Sequence, residues 1–470
     1  VLILEKASVF GGTTAISGGT AYIFNNYLLR EQGVEDSREM SLTYLRHVAG
    51  GQSDEELMAA YVDKGNEMIE WLRDNAGFVW TRSEGSTTFA EYYPYEGALP
   101  EGQSRGVRPA PLDDGTTSGP ALMTYARRAT DEREIEILFD TAGHKLVTSA
   151  EGQVIGVIAS SEGSEMAIKA RRGVIIGTGG FDHNEEMRSH FLRGPILAAN
   201  SVITNTGDGH LMGMAIGADL RNMNECWGLP FFKPDPDLFS GIADWQLWRG
   251  KPGTVVVNKH GERIGNESAN YDAAVNAFYH YDTGTFEWRN IPSFFICDSG
   301  YTDHYPLPGS FEVGAVPDWI TVADTLDELA EALGIDARGL ESTIETFNGY
   351  AENGVDLDWR RGESDFDKYT AGDVSRNDLR NPCLAPLETP SFYGAALWPG
   401  TTGTNGGLRT NASAQVLNVW GEVIPRLYCT SNTMASVMGV GYAGGGGTLG
   451  PGMTFGYVAG QHAAALEPWG

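Results

Sequence analysis

Residues 427–466 run for 40 positions without an Asp, Glu, Lys or Arg. A stretch of that length can cross a bilayer as a helix. Ten glycines and Pro451 fall inside it, however, and these would break an isolated membrane helix, whereas a wall packed around a large buried ligand makes use of them. The chain is therefore expected to fold as a globular protein that brings charge-free backbone close to something other than lipid. Glycine is in excess throughout, 61 of 470 residues against an ordinary share of about 7%. No other segment approaches transmembrane length, and peripheral membrane association stays open.

With 41% apolar and 20% charged residues, the chain has material for two or three domains, which excludes a small binding module and a disordered chain. Asp and Glu number 62 and Lys and Arg 33, a net charge of −29, and no basic stretch accompanies aromatic residues. Phosphate binding needs clustered cations, so nucleic acid is excluded as a partner. Cys226, Cys297, Cys383 and Cys429 lie far apart, with no CxxC, no CxxCH and no tight ligand spacing. That usage predicts a reducing cytoplasm and no metal, haem or iron–sulfur site on this chain.

Residues 1–6, Val-Leu-Ile-Leu-Glu-Lys, read as a buried parallel strand, so the chain as given is expected to start inside a domain. Residues 11–19, GGTTAISGG, hold too much glycine for a helix interior and predict a loop against a ligand or another backbone. Helices are predicted over 37–48 and, opened by a capping box Ser53-x-x-Glu56, through Leu72. Between residues 78 and 111 the chain turns irregular and aromatic, with Trp80, Phe89, Tyr92, Tyr93 and Tyr95, as functional loops often do. A helix over 120–129 precedes strands over 134–138, 153–160 and 166–170 and a strand ending on Gly177, Gly179 and Gly180. Thr206-Gly-Asp208-Gly209 opens a helix over 210–216, where backbone amides suit a dinucleotide. Residues 232–403 are aromatic and polar, with a hairpin over 255–267 and a helical pair over 325–350. Glycine-rich sequence then returns, with β segments near 416 and over 427–429 and a final helix over 453–465.

Glu5 ends the first strand, where dinucleotide-binding folds place the acid that bonds the adenosine ribose. The Gly-x-Gly-x-x-Gly turn belonging to that arrangement is expected roughly 20 to 30 residues earlier, ahead of the sequence given. After Glu5-Lys6 come GGTTAISGG, Gly177-Thr-Gly-Gly180, Thr206-Gly-Asp-Gly209, Gly406-Gly-Leu-Arg-Thr410, and Leu427-Tyr428 before Ser431-Asn432-Thr433. In this order the segments resemble the flavoprotein superfamily of fumarate reductases, succinate dehydrogenase flavoprotein subunits and 3-ketosteroid dehydrogenases. The resemblance implies an α/β fold in which a Rossmann-like FAD-binding domain, residues 1–231 and 404–470, carries an inserted α+β catalytic domain, residues 232–403. It implies FAD contacts at Glu5, Lys6, Gly11, Gly12, Thr13, Thr14, Ser17, Gly18, Gly19, Gly179, Gly180, Asp208, Asn432, Gly447, Thr448 and Leu449. No His follows Thr13-Thr14, where succinate dehydrogenase flavoproteins tether the flavin, so the FAD is expected to be non-covalent.

Within the superfamily, enzymes that bind fumarate place an Arg after the Asn-Glu of the hairpin, a His before the late Gly-Gly and an Arg in the final glycine-rich stretch. A dicarboxylate needs such cations. This chain has Tyr271 after Asn266-Glu267-Ser-Ala-Asn270, Thr402-Gly-Thr-Asn405 before Gly406-Gly407, and no Arg beyond Arg426. It resembles instead the 3-ketosteroid Δ1-dehydrogenases, through Ser17-Gly-Gly with Asn25-Asn26, Glu91-Tyr92-Tyr93-Pro94, Tyr271-Asp272, Arg361-Gly-Glu-Ser364, Ala435-Ser-Val-Met-Gly439 and Tyr442-Ala-Gly-Gly-Gly-Gly-Thr-Leu-Gly-Pro451. That resemblance assigns the steroid carbonyl to Tyr442 and the Gly446 amide, the base to Tyr271, and support of the base to Tyr92, with Tyr93 adjacent. Hydride would leave carbon 1 for flavin nitrogen 5. Ala443 stands where the family often has proline, and Ser431 where it often has glycine.

The chemistry agrees with these residue types. Removing two hydrogens beside a ketone needs a polarised oxygen, and a phenol with a peptide N–H forms such an oxyanion-type site. A flat apolar substrate needs aromatic walls with few charges. The expected partners are a steroid or similar polycyclic ketone and an external electron acceptor. The alternatives are a 3-ketosteroid Δ4-(5α)-dehydrogenase or another FAD-dependent dehydrogenase or reductase of the fumarate reductase-like superfamily, and a truncated fragment that binds the ligand without flavin.

Overall fold

The computed structural model describes residues 1–82, 91–100, 102–243 and 248–469. Phe89 of the aromatic segment lies outside them. The longest strand is Phe392–Thr404, and its two halves serve different partners. Residues 392–397 run antiparallel to Ser293–Asp298, and residues 397–404 run antiparallel to Cys226–Asp235. The resulting sheet has the order Ser240–Ile242, Cys226–Asp235, Phe392–Thr404, Ser293–Asp298, Thr254–Asn258, with Thr321–Ala323 also paired to Phe392–Thr404.

Strand alternation gives this sheet two apolar faces. Val255, Val257, Phe294 and Ile296 face the helices Leu326–Leu333 and Ala337–Asn353, which bury Leu329, Leu340, Ile344 and Phe347 against them. Val256, Phe295 and Cys297 face the main core, which also holds Tyr92, Trp227, Tyr271 and Tyr442. Smaller sheets surround that core. Leu2–Leu4 is parallel to Glu136–Leu138, and Val174–Ile176 is parallel to Val423–Cys429.

Several local expectations are corrected. Residues Gly12–Ile16 form a helical turn, not a loop. The glycines lie at its start, and a Cβ at Gly11 (φ 124°) would stand 2.7 Å from that of Ala15. The helix Glu55–Ala76 has Asp54, not Ser53, as its N-cap. Asp54 makes no capping bond because both carboxylate oxygens accept from Arg221 Nη1 at 2.9 Å. Of the hairpin over 255–267, one arm is the strand Thr254–Asn258 and the other touches it through the single bridge Val257–Arg263. The strand Thr141–Thr148 is unforeseen in the sequence, since bulges after Gly143 and Val147 break the alternation that would announce it. The last helix spans Leu449–Ala465 and starts before the predicted residue 453, with Pro451 tolerated in its first turn. Among the described residues no helix is long and apolar enough to cross a membrane.

A buried ion cluster ties the aromatic segment to the N-terminal helices. Arg105 donates to Asp36 at 2.8 and 2.9 Å, to Glu91 at 3.3 Å and to the Gly97 carbonyl at 2.8 Å, with its side chain fully buried. Removing one member of such a cluster strands the opposite charges, at a cost on the order of 3 to 5 kcal/mol. Arg105→Met is therefore expected to lower the urea midpoint by a corresponding amount. A midpoint equal to the parent's would mean that the cluster does not anchor this segment.

Candidate active site

Tyr92, Tyr271 and Tyr442 lie far apart in sequence and are brought together by main-chain hydrogen bonds. Tyr271 opens the helix Tyr271–Asn276, whose N-cap Asn270 accepts from the Ala273 amide at 2.9 Å. The same Asn270 donates its Nδ2 to the Tyr92 carbonyl at 3.4 Å. The Tyr92 amide donates to the Ala443 carbonyl at 3.3 Å, and the Tyr442 amide donates to Tyr93 Oη at 3.4 Å. Helix cap, aromatic segment and glycine-rich segment thus form one hydrogen-bonded unit.

The three rings then pack around a common point. Centroid separations are 5.7 Å for Tyr92–Tyr271, 5.6 Å for Tyr92–Tyr442 and 5.4 Å for Tyr271–Tyr442. Tyr92 Oη donates to Tyr271 Oη at 3.5 Å, and all three residues are at most 6% exposed. Tyr93 stacks on Tyr95. Burial pushes all three phenols above their ordinary value, Tyr271 well above it, with Tyr442 and Tyr92 both adding to the rise there. Thr448 Oγ1 donates to Tyr442 Oη at 3.3 Å, which frees the phenol's own proton for another acceptor. Four residues after Tyr442, Gly446 has φ 96°, and a Cβ there would stand 2.6 Å from the Thr20 carbonyl oxygen, so only glycine fits. Its carbonyl accepts from the Tyr22 amide at 3.0 Å, and its own N–H meets no acceptor among the described residues.

Thr448 also lines a cleft together with Trp227, Asn405, Ser431, Asn432 and Gly447. Asn405 Oδ1 is buried there without a hydrogen-bond partner among the described residues. Ser431 adopts φ 61°, the conformation glycine takes freely, which explains why a glycine would suit this position. Asn432, Gly447 and Thr448 of the expected cofactor set therefore share one wall. Leu449 follows as the first residue of the last helix and packs partly buried against the core around Ala21 and Ile23.

The other expected cofactor residues form a second group. Glu5 accepts from the Ala7 amide at 2.7 Å, and Lys6 pairs with Asp208 at 2.9 Å. Thr13 Oγ1 accepts from the Val202 amide and Asn205 Nδ2, both at 3.2 Å. Asn205 in turn packs on Gly179, and Gly180 packs on Thr404. Ser17 Oγ donates to the Thr14 carbonyl at 2.8 Å and accepts from the Gly19 amide at 3.1 Å, the local bonding of a turn. Added Cβ atoms at Gly12 and Gly18 would meet nothing within 4 Å, so both present bare backbone to open space. Bare glycine backbone, an unpartnered buried amide oxygen and a charge-free wall suit a large planar cofactor.

The sequence reading missed three neighbours of the tyrosines. Trp227 lies 4.9 Å from Tyr442, Phe366 lies 4.8 Å from Tyr92, and the Arg249 guanidinium stands 5.1 Å above the Phe366 ring. None sits in a motif. The only signal in the sequence was the aromatic composition of the region that holds them.

The FAD binding domain family matches residues 1–449 of this chain. A 3-oxosteroid 1-dehydrogenase of Mycolicibacterium smegmatis is 33% identical over 99% of this chain and 93% of its own length. A 4-oxocyclohexanecarboxylate 2-dehydrogenase of Sinomonas cyclohexanicum is 32% identical over 98% and 88%. The crystal structure of 3-ketosteroid Δ1-dehydrogenase from Sterolibacterium denitrificans in complex with 1,4-androstadiene-3,17-dione superposes with a TM-score of 0.90 at 30% identity, covering 99% of this chain and 95% of that one. The chain belongs to the FAD binding domain family, with the 3-ketosteroid Δ1-dehydrogenases of the fumarate reductase superfamily, and is an FAD-dependent oxidoreductase acting on CH–CH bonds.

Proposed function

We propose that this enzyme removes two hydrogens from the bond beside a ring ketone, in its most specific form the 1,2-dehydrogenation of a 3-ketosteroid. The observation that supports it is the cluster of three buried phenols beside an unbonded glycine amide. Tyr442 Oη and the Gly446 N–H bind the ketone oxygen and stabilise the charge that develops on it, which acidifies the neighbouring C–H. Tyr271 Oη takes the proton from that carbon. Tyr92, through its hydrogen bond to Tyr271, stabilises the phenolate that must form before the proton is taken. FAD, when bound, accepts the hydride from the next carbon.

The cofactor is held without a covalent link by the two groups of residues described above, with Asn432, Gly447 and Thr448 on one wall and Thr448 bonded to Tyr442. Residues 1–231 and 404–470 form the flavin unit and 232–403 the substrate unit, and an external acceptor reoxidises the enzyme. A second reading keeps this chemistry but uses a monocyclic keto acid, because the 4-oxocyclohexanecarboxylate 2-dehydrogenase is as similar to this chain as the steroid enzymes are.

Anaerobic mixing with androst-4-ene-3,17-dione and, separately, with 4-oxocyclohexanecarboxylate tests the reading. Bleaching of the flavin by at least one of them is expected, and bleaching by neither overturns it. Tyr442→Phe is expected to lower turnover by roughly 100-fold or more, the usual effect of losing one oxyanion-type donor, with flavin content preserved. Normal activity in that variant would place the carbonyl elsewhere.

Tyr271→Phe is expected to nearly abolish reduction of the flavin by substrate while binding stays within a few-fold, because only the transition state loses an interaction. A parent-like bleaching rate would assign the base to another group. Tyr92→Phe is expected to act more mildly. A donor to the phenolate lowers its pKa, so losing that donor should move the activity profile to higher pH. A shift to lower pH would mean that Tyr271 is the donor in this pair.

A further inference from the structure

Arg105, Arg249 and Arg361 are the arginines among the largest fully buried side chains. Two of them have acidic partners: Arg105 bonds Asp36 and Glu91, and Arg361 bonds Glu267 at 3.2 Å. Arg249 is 1% exposed, yet its Nε, Nη1 and Nη2 have no hydrogen-bond partner among the described residues. The nearby carboxylate of Asp367 is committed elsewhere, accepting from Asn266 Nδ2 and from the Gly362 amide, both at 2.9 Å. Burial without an acceptor pushes the guanidinium below its ordinary value, and the groups that oppose the shift are Tyr92, Tyr271 and Asp367. A buried guanidinium with every donor open is a site prepared for an anion, and its planar fork matches a carboxylate.

The place of Arg249 limits what that anion can be. Its guanidinium stands over Phe366, which packs on Tyr92, so it lies on the Tyr92–Tyr271 side of the cluster. The ketone oxygen is assigned to Tyr442 and Gly446. Tyr92 also packs on Tyr442, so two ring contacts, Phe366 and Tyr92, separate the guanidinium from the phenol assigned to that oxygen.

We propose that Arg249 binds a carboxylate carried on the substrate ring across from the ketone, which selects the monocyclic keto acid of the second reading above over the neutral steroid of the first. The proposal rests on the tyrosine assignment above. The carboxylate stays unchanged in the reaction: the ring loses a hydride to FAD and a proton to Tyr271, and a carbon–carbon double bond forms.

The test compares kcat/KM of the purified flavoprotein for 4-oxocyclohexanecarboxylate, its methyl ester and androst-4-ene-3,17-dione. The parent is expected to prefer the acid over the ester by roughly 100-fold, as when one member of a buried charge pair is removed. In Arg249→Met that ratio should collapse, mainly through KM, and Arg249→Lys should restore part of it. On the parent alone, cyclohexanecarboxylate, which lacks the ketone, should inhibit competitively. A parent that oxidises the steroid or the ester as well as the acid overturns the proposal and leaves the dehydrogenase reading intact. An equal fall in kcat for acid and ester in Arg249→Met also overturns it, because the guanidinium would then be serving the Tyr271 phenolate. If none of the three ketones bleaches the flavin, the dehydrogenase reading itself fails.

Discussion

The carbonyl oxygen of Ala443 accepts from Tyr44 Oη at 2.7 Å and from the Tyr92 amide at 3.3 Å, and the register between the aromatic and glycine-rich segments depends on those two bonds. Glycine backbone loses more conformational freedom on ordering than any other, and it has no side chain to pack. Segment 439–447 is therefore ordered by main-chain contacts. Asn405 donates to the Gly439 carbonyl at 2.9 Å, and the Tyr22 and Gly450 amides donate to the Gly446 carbonyl at 3.0 and 2.9 Å. The same bonds that fix the segment leave the Gly446 N–H unused, and a bare, fixed backbone donor is what a reacting carbonyl needs.

The dryness that this packing creates governs the electrostatics. The tyrosines lie where their ionised forms are disfavoured. A phenolate formed there is a stronger base than one in water, but only a substrate already polarised at its oxygen can draw the proton across. On the proposed reading burial and polarisation act as one device: burial raises the basicity of Tyr271, and Tyr442 with Gly446 lowers the barrier to using it. Asp272, next in the helix, shows the same environment, its carboxyl pushed up to about 7 by burial although it accepts from the Gly228 amide.

What was legible in the sequence was whatever depends on local chemistry in order. Glu5 after an apolar strand, the glycine clusters and Tyr442 within a charge-free run led to the FAD binding domain family, and the structure gathers Tyr92, Tyr271 and Tyr442 as one cluster. Long-range pairing was not legible. Asp54 fails to cap its helix because Arg221, 167 positions away, takes its carboxylate. Thr141–Thr148 hides behind its bulges, and the helical turn at 12–16 forms because Gly11 lies against Ala15 and Met123. Arg249 was passed over for the same reason: it occupies none of the three positions at which a di-acid enzyme carries its cations, and only the fold brings it beside Phe366.

The unpaired state of Arg249 does not come from a shortage of acids. The chain carries 62 of them against 33 Lys and Arg, and its other two fully buried arginines have carboxylates at 2.8 to 3.3 Å. Asp367 lies close enough to act on the guanidinium and yet is bonded to Asn266 and Gly362. A partner supplied by the protein would make the site inert, since a satisfied guanidinium gains little from a second anion. Leaving the fork open raises the energy of the empty protein and lowers it again only when an anion arrives. The same separation holds at the other end of the cluster, where Thr448 donates to Tyr442 and keeps that phenol's proton available. On the proposed reading, Tyr442 and Arg249 both keep donors free of internal partners, so that binding, not folding, satisfies them.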